Sequence, residues 1–413
     1  MLKKISTRQA RLGMYIQSLE GPWLAHPFWK TKFVLREPVD LDALIRSKVS
    51  AIWIDVSKGA DVADVEEAAP AAVPVSISVV PAPIAPPIAA SAQPPAPAAR
   101  VSIGSELDRA AQVINGSRQK VISLFSEVRL GRAVELEECL PVVEDVAASV
   151  ARNPSALISL ARLKTQDDYT YMHSVAVCAL MVALSRQFGM DEAQTREAGL
   201  AGLLHDVGKM LVPATVLNKP GRLTDEEFAI IKHHPERGYQ LLKSGQFAPD
   251  SALDVCLHHH EKMDGTGYPE KLKGDQISLL ARMGAVCDVY DAITSNRAYK
   301  SAWDPAVSLQ RMAQWEGHFD PAVFQAFVKS LGIYPVGSMV RLESGRMAVV
   351  VEQSNASLVS PLVRIFYSTK SKMPVPLELL DLSKPGVTDR IVAREQPKEW
   401  GFTQVEELWR MGA

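Results

Sequence analysis

Between Pro70 and Pro97 the chain carries nine prolines among residues that are otherwise mostly alanine and valine. Proline fixes φ and lacks a backbone N–H, so this stretch can run neither as a helix nor as a central strand. It reads as a semi-extended linker, and it divides the 413 residues into parts that must each build their own core. The apolar stretch ISVVPAPIAPPIAA inside it is not a membrane span, because prolines interrupt it. The longest apolar run elsewhere, Val175 to Leu184, falls short of the roughly 20 residues that a span needs.

Ahead of the linker, AIWIDV (Ala51 to Val56) alternates as a strand and Asp40 to Ser47 has helical spacing, so residues 1–62 are expected to form a small α+β domain. Beyond it, helical periodicity runs from about Ser105 to Leu331. Thr224-Asp225-Glu226-Glu227 is a capping box. Asp304-Pro305 and Asp320-Pro321 each set a cap before a proline at the first helical position, and Gly332 closes the second of these helices. After Tyr334 the pattern changes to short β runs at Met347 to Val351 and Leu362 to Tyr367. The expected fold class is mainly α, a helical bundle with a small N-terminal α+β domain and a small C-terminal β-rich appendage. The corresponding divisions are 1–62, a linker at 63–102, the bundle at 103–335, the appendage at 336–385 and a tail at 386–413. Helix 105–129 is amphipathic, and its apolar face suits either the bundle or a second copy in a homodimer.

Lys+Arg of 45 against Asp+Glu of 47 leaves no basic field for DNA or a membrane surface, so an anionic ligand must be gripped locally. The four cysteines are scattered without CxxC spacing and read as buried apolar residues of a reduced, cytoplasmic protein.

Seven of the nine histidines lie between His173 and His260. Together with Asp206 and Asp288 they offer imidazole and carboxylate ligands, which suit Fe, Mn, Zn or a similar divalent ion. A helical bundle can aim such side chains at one dinuclear centre. His205 and Asp206 are neighbours about 100° apart on a helix, so they can share a site only if it is approached from the helix flank or end, and Gly208 is expected to supply the end. Taken alone, His205-Asp206-Val207-Gly208-Lys209 also suits a solvated helix C-terminus.

His173, then His205-Asp206 with Lys209, then Asp288 resembles the HD superfamily of metal-dependent phosphohydrolases. His233-His234-Pro235-Glu236, the run HHEKMDGTGYP from His259, and Asp288-Val289-Tyr290-Asp291-Ala292 with Arg297 and Lys300 are similar to its HD-GYP branch, which hydrolyses cyclic di-GMP. The resemblance covers about Tyr169 to Lys300. It implies an HD-type bundle in which His173, His205, Asp206 and Asp288 hold one metal and His234, His259 and His260 complete a second, with Asp206 bridging. Two divalent ions, Fe or Mn, would hold a hydroxide for in-line attack on phosphorus. Lys209 would assist the leaving oxygen, Arg297 and Lys300 would bind substrate phosphates, and Tyr268 would touch substrate or brace the ligand helix. Some relatives take a third metal through a glutamate at the place held here by Tyr169. That favours two metals and linear pGpG as the main product, with GMP the further one.

Alternatives from the same residues are an HD hydrolase of another cyclic dinucleotide, and a scaffold that docks GGDEF-type partners without turnover. His233 and His258 match no ligand position, and His26 and His318 lie away from the motifs. Asp291 either orients a ligand or is solvated, and Glu261 and Asp264 either support ligands or fix the loop. The first 60 or so residues also resemble, on GMYI at Gly13 and the pattern from Trp23 to Phe28, a domain of unknown function found ahead of HD-GYP modules. A regulatory or docking role is expected for it.

Overall fold

The computed structural model describes residues 2–19, 33–35, 41, 44–45, 51–61, 101–132, 136–163, 169–219, 221–245, 248–295, 302–354, 357–402 and 405–411. Linker residues 63–100, His26, the Trp23 to Phe28 pattern, Arg297 and Lys300 lie outside them. The chain divides into two compact units, Met1–Ala96 and Pro97–Ala413.

In the first unit β1 (Leu2–Ser6), β2 (Tyr15–Leu19), β3 (Phe33–Val34) and β4 (Ala51–Asp55) form an antiparallel sheet in the order β1-β4-β2-β3. Alternation along β4 sends Ile52 and Ile54 to one face, where they meet Ile5, Met14, Ile16, Leu35 and Leu44. Residues 41, 44 and 45 are helical, within the segment read as helix.

The second unit begins with α1 (Ile103–Arg129), α2 (Leu136–Arg152) and α3 (Pro154–Ala161), followed by α4 (Tyr169–Gln187) and α5 (Glu192–Leu204). Every residue from Val175 to Leu184 is buried, so α4 is apolar on all sides and runs through the middle of the bundle. The α1 face that sequence left between two partners packs inward: Leu107, Ala110, Val121, Leu124, Phe125 and Val128 are buried. The Phe125 ring lies 5.9 Å from that of Tyr171 on α4.

A 3₁₀ turn (Val207–Leu211) leads to α6 (Ala214–Leu217), α7 (Asp225–Lys232), α8 (His234–Ser244), α9 (Asp250–His258), α10 (Leu279–Thr294), α11 (Pro305–Met312) and α12 (Pro321–Leu331). The Thr224 capping box is present, and Asp304 and Asp320 each accept two of the free amides in the first turn of their helices. Gly332 closes α12 at φ +83°.

A five-stranded antiparallel sheet follows: β5 (Met339–Leu342), β6 (Arg346–Glu352), β7 (Leu362–Ser368), β8 (Met373–Asp381) and β9 (Ile391–Glu395), in the order β8-β7-β6-β5-β9. β9 lies inside the stretch read from sequence as a tail. Its residues are half-buried or exposed, so no apolar alternation marked it, and backbone pairing to β5 places it. The last helix, α13 (Val405–Arg410), buries Val405 and Trp409 and packs on β6. Two hydrogen bonds tie sheet to bundle: Met339 N–H donates to Asp304 Oδ2 at 2.9 Å, and Ile103 N–H to Glu352 Oε1 at 3.0 Å. All four cysteines are free and buried, and no described helix is long and apolar enough to cross a membrane.

Candidate metal centre

Helix ends build most of this site. His173 projects from the first turns of α4, His205 caps α5, and Asp206 follows at φ −104° and ψ 9°, already off the helix. α5 ends at Leu204 with His205 as its cap, before Gly208, which was expected to break it and lies inside the 3₁₀ turn. Its role is close approach, since a Cβ there would stand 2.0 Å from the carbonyl oxygen of His234. Gly238, one turn into α8, meets Gly208 from the other side, and a Cβ on it would lie 2.6 Å from Cys256 Sγ. The two glycines let α8 sit against the turn and α9, which sets His234 at the start of α8 beside Asp206. His259 caps α9, His260 follows, and Asp288 comes from the middle of α10.

Ligating atoms converge as two groups that share Asp206. His173, His205, Asp206 and Asp288 form one, and Asp206, His234, His259 and His260 the other, with the donor atoms of each group within 4.8 Å of one another. Asp206 Oδ2 lies 3.3 Å from the Nε2 atoms of both His173 and His205, while Oδ1 lies 3.0 Å from His234 Nε2 and 3.6 Å from His259 Nε2. Asp288 reaches both groups, with Oδ1 3.0 Å from His173 Nε2 and Oδ2 3.7 Å from His260 Nδ1. Lys209 Nζ donates to Asp206 Oδ2.

Hydrogen bonds fix which nitrogen faces the centre. His205 Nδ1 donates to Gly202 O at 2.8 Å, His234 Nδ1 to Ile231 O at 2.8 Å, and His259 Nδ1 to the carbonyls of Val255 and Cys256, both at 3.0 Å. A neutral imidazole has one N–H, so donation from Nδ1 leaves Nε2 as a bare lone pair. These lone pairs point at carboxylate oxygens, and those of His234 and His259 face each other at 3.2 Å. His205 Nε2 and Asp206 Oδ1 are buried with no hydrogen-bond partner. Acceptors opposed in a dry interior repel unless cations stand between them, so the donor set fits divalent metal ions.

Electrostatics agree. Burial raises the Asp206 and Asp288 carboxyls, but Lys209 and imidazoles at Asp206, and imidazoles alone at Asp288, outweigh it and hold both well below the usual carboxylate range. Burial pulls His234 down to about 4 and His260 well below its ordinary value, so both stay neutral. At His205 burial is overcome by Asp206 and Asp288, which raise the imidazole to about 10, so with no cation present a proton on Nε2 takes the place that a metal ion would fill; His173 is raised by the same kind of field. The carboxylates draw positive charge to that half of the centre.

Residues 142–323 match the HD domain family, and residues 2–139 match a domain of unknown function (DUF3391). Over 411 residues the chain is 52% identical to the cyclic di-GMP phosphodiesterase PA4108 of Pseudomonas aeruginosa, covering 99% of this chain and 96% of that one. The chain belongs to the HD-GYP branch of the HD-domain family. This HD-GYP chain is also 36% identical over 162 residues to the 3'3'-cGAMP-specific phosphodiesterase 2 of Vibrio cholerae, covering 39% of this chain and 31% of that one. Among solved structures, Bd1817, a HDG"Y"P protein from Bdellovibrio bacteriovorus, aligns at a TM-score of 0.46 with 16% identity, over 80% of this chain and 99% of that one.

In the HD-GYP signature loop, Gly265 takes φ +80°, but Gly267 does not use left-handed freedom; a Cβ there would lie 2.5 Å from Glu261 Cα. Glu261 and Asp264 both fix the loop. Glu261 Oε1 accepts the Glu270 N–H at 2.7 Å, and Asp264 Oδ1 accepts the N–H and hydroxyl of Thr266 at 2.8 and 2.7 Å. Tyr268 stacks on His260 with ring centroids 4.7 Å apart. His233 is exposed and pairs with Glu236 at 2.5 Å, and His258 pairs with Asp254 at 2.7 Å, both outside the two groups. The sequence left Asp291 open; it is buried, and its Oδ2 accepts from His173 Nδ1 at 2.6 Å. Its spacing of three residues from Asp288 was the available signal, since such pairs share a helix face. Tyr169, at the third-metal position, opens α4.

Proposed function

We propose that the chain is a phosphodiesterase that hydrolyses cyclic di-GMP to linear pGpG at a dinuclear centre of Fe or Mn, lowering the second messenger in bacterial signalling. The observation that carries this reading is the carboxylate of Asp206, which belongs to both ligand groups and whose two oxygens face separate sets of imidazoles. His173, His205, Asp206 and Asp288 would hold one ion, and Asp206, His234, His259 and His260 the other. When bound, such a pair supplies Lewis acidity and a nucleophilic water at neutral pH. The chain's own residues do the rest. Nδ1 bonds from four histidines keep the ligand nitrogens aimed inward, and the buried surroundings exclude bulk water. Lys209, ammonium on Asp206, is positioned to hold a proton for the leaving oxygen. Arg297 and Lys300 are assigned to the substrate phosphates by family resemblance, and Tyr268 borders the centre through His260.

Tyr169 in place of a third acidic ligand supports a two-metal centre, and hence pGpG over complete conversion to GMP. The relative named for 3'3'-cGAMP supports a second reading, in which a hybrid cyclic dinucleotide is the better substrate. Metal analysis of anaerobically purified protein, followed by chromatography of products from both dinucleotides, decides between them. Two metals per chain with pGpG released from cyclic di-GMP is the expected result; metal-loaded protein that turns over neither dinucleotide would overturn the enzymatic reading.

A further inference from the structure

Outside the two ligand groups, a cation from α7 stands over the tyrosine of the signature loop. Lys232, the last residue of α7, places Nζ 4.9 Å from the centroid of the Tyr268 ring, 36 positions along the chain. That ring is stacked at 30° on His260, whose Nδ1 lies 3.7 Å from Asp288. Ammonium, phenol ring and ligand imidazole are therefore linked in sequence, leading from the surface to the centre. Neighbouring lysines are neutralised, Lys209 by Asp206 and Lys219 by Glu227 at 2.6 Å. Among the described residues no carboxylate forms an ion pair with Lys232.

A cyclic dinucleotide carries two phosphodiester anions, and only one can occupy the reacting position at a time. The other needs cations away from the metals, so one in addition to Arg297 and Lys300, which the resemblance assigns to the phosphates, has a role. We propose that Lys232, seated over Tyr268, binds the phosphodiester that is not being cleaved. This rests on the reading of the substrate as a cyclic dinucleotide. Lysine suits this role because its ammonium is a compact charge with three donors on a flexible stem, and the aromatic face beneath it restrains the cation without neutralising it.

Full-length, metal-loaded wild type, Lys232→Met and Lys232→Arg are compared on cyclic di-GMP and on bis(p-nitrophenyl) phosphate, which has a single phosphodiester. Because Lys232 is exposed, its charge is partly screened; Lys232→Met should raise KM for cyclic di-GMP about 5- to 20-fold with kcat within about twofold. KM for the single diester should be unchanged, the salt dependence of kcat/KM should weaken, and Lys232→Arg should recover most of the loss. An unchanged KM for cyclic di-GMP, or an equal rise for both substrates, would overturn the assignment. Loss of metal or of thermal stability in Lys232→Met would also overturn it, by showing a packing role. Wild type that fails to hydrolyse cyclic di-GMP sinks the substrate reading instead, so the two failures are distinguishable.

Discussion

His173 and Asp291 are held together through a buried 2.6 Å hydrogen bond from imidazole Nδ1 to carboxylate Oδ2. On the other side of the same ring, Nε2 lies 3.0 Å from Asp288, one helical turn before Asp291. One face of α10 thus both orients the imidazole and stands beside its ligating nitrogen. Removing the orienting carboxylate frees the ring and lowers its basicity. Asp291→Ala should weaken metal binding about 10- to 100-fold with the helical content intact. Chelator competition followed by metal analysis measures it, and wild-type affinity would reduce Asp291 to a space-filling role.

Asp206 is common to both ligand groups, so its loss should be felt by both ions. Asp206→Ala is expected to lose turnover and both metals together, whereas His234→Ala should retain the ion of the other group. Elemental analysis of the two variants separates these outcomes. Equal metal content in both would contradict the bridging assignment.

Metal removal should destabilise the fold. Without cations the buried Nε2 lone pairs of His234 and His259 oppose each other at 3.2 Å, and two carboxylates lie among them. An ion bound at 100 times its dissociation constant adds about 2.7 kcal/mol to native stability. Scanning calorimetry with and without chelator should show a lower midpoint for the stripped protein; identical midpoints would mean the centre folds equally well empty.

Gly208 tests how the centre is assembled. A methyl group there would meet the His234 carbonyl, so Gly208→Ala must push α8 away from the 3₁₀ turn. Overpacking of this kind costs roughly 1–3 kcal/mol, and more against backbone than against side chain. The expected outcome is a lower unfolding midpoint in denaturant together with loss of metal from the group containing His234. A variant as stable and as metal-rich as wild type would show that the contact relaxes freely.

Asp304 joins the end of the bundle to the sheet. Its Oδ1 accepts the amides of Ala306 and Val307, and its Oδ2 that of Met339 on β5. Asp304→Ala removes a helix cap and leaves a buried amide unpaired, at a cost of about 1–3 kcal/mol. Urea denaturation should register that loss, and an unchanged midpoint would mean that water replaces the carboxylate.

Sequence alone determined the features whose cause is local. The proline run, the Thr224 capping box, the Asp304-Pro305 and Asp320-Pro321 caps and the apolar core of α4 each depend on residues within a few positions of one another. The clustering of imidazoles and carboxylates between His173 and Asp288 was also legible, and the family resemblance divided them into two groups. Tertiary structure decided the rest. Gly208 is small because Gly238 and His234 lie against it, Asp291 is buried because His173 faces it, β9 exists because β5 offers free backbone groups, and Lys232 meets Tyr268 across 36 residues. Apart from the three-residue spacing of Asp288 and Asp291, none of these leaves a local pattern, because each is a short distance between residues far apart in sequence.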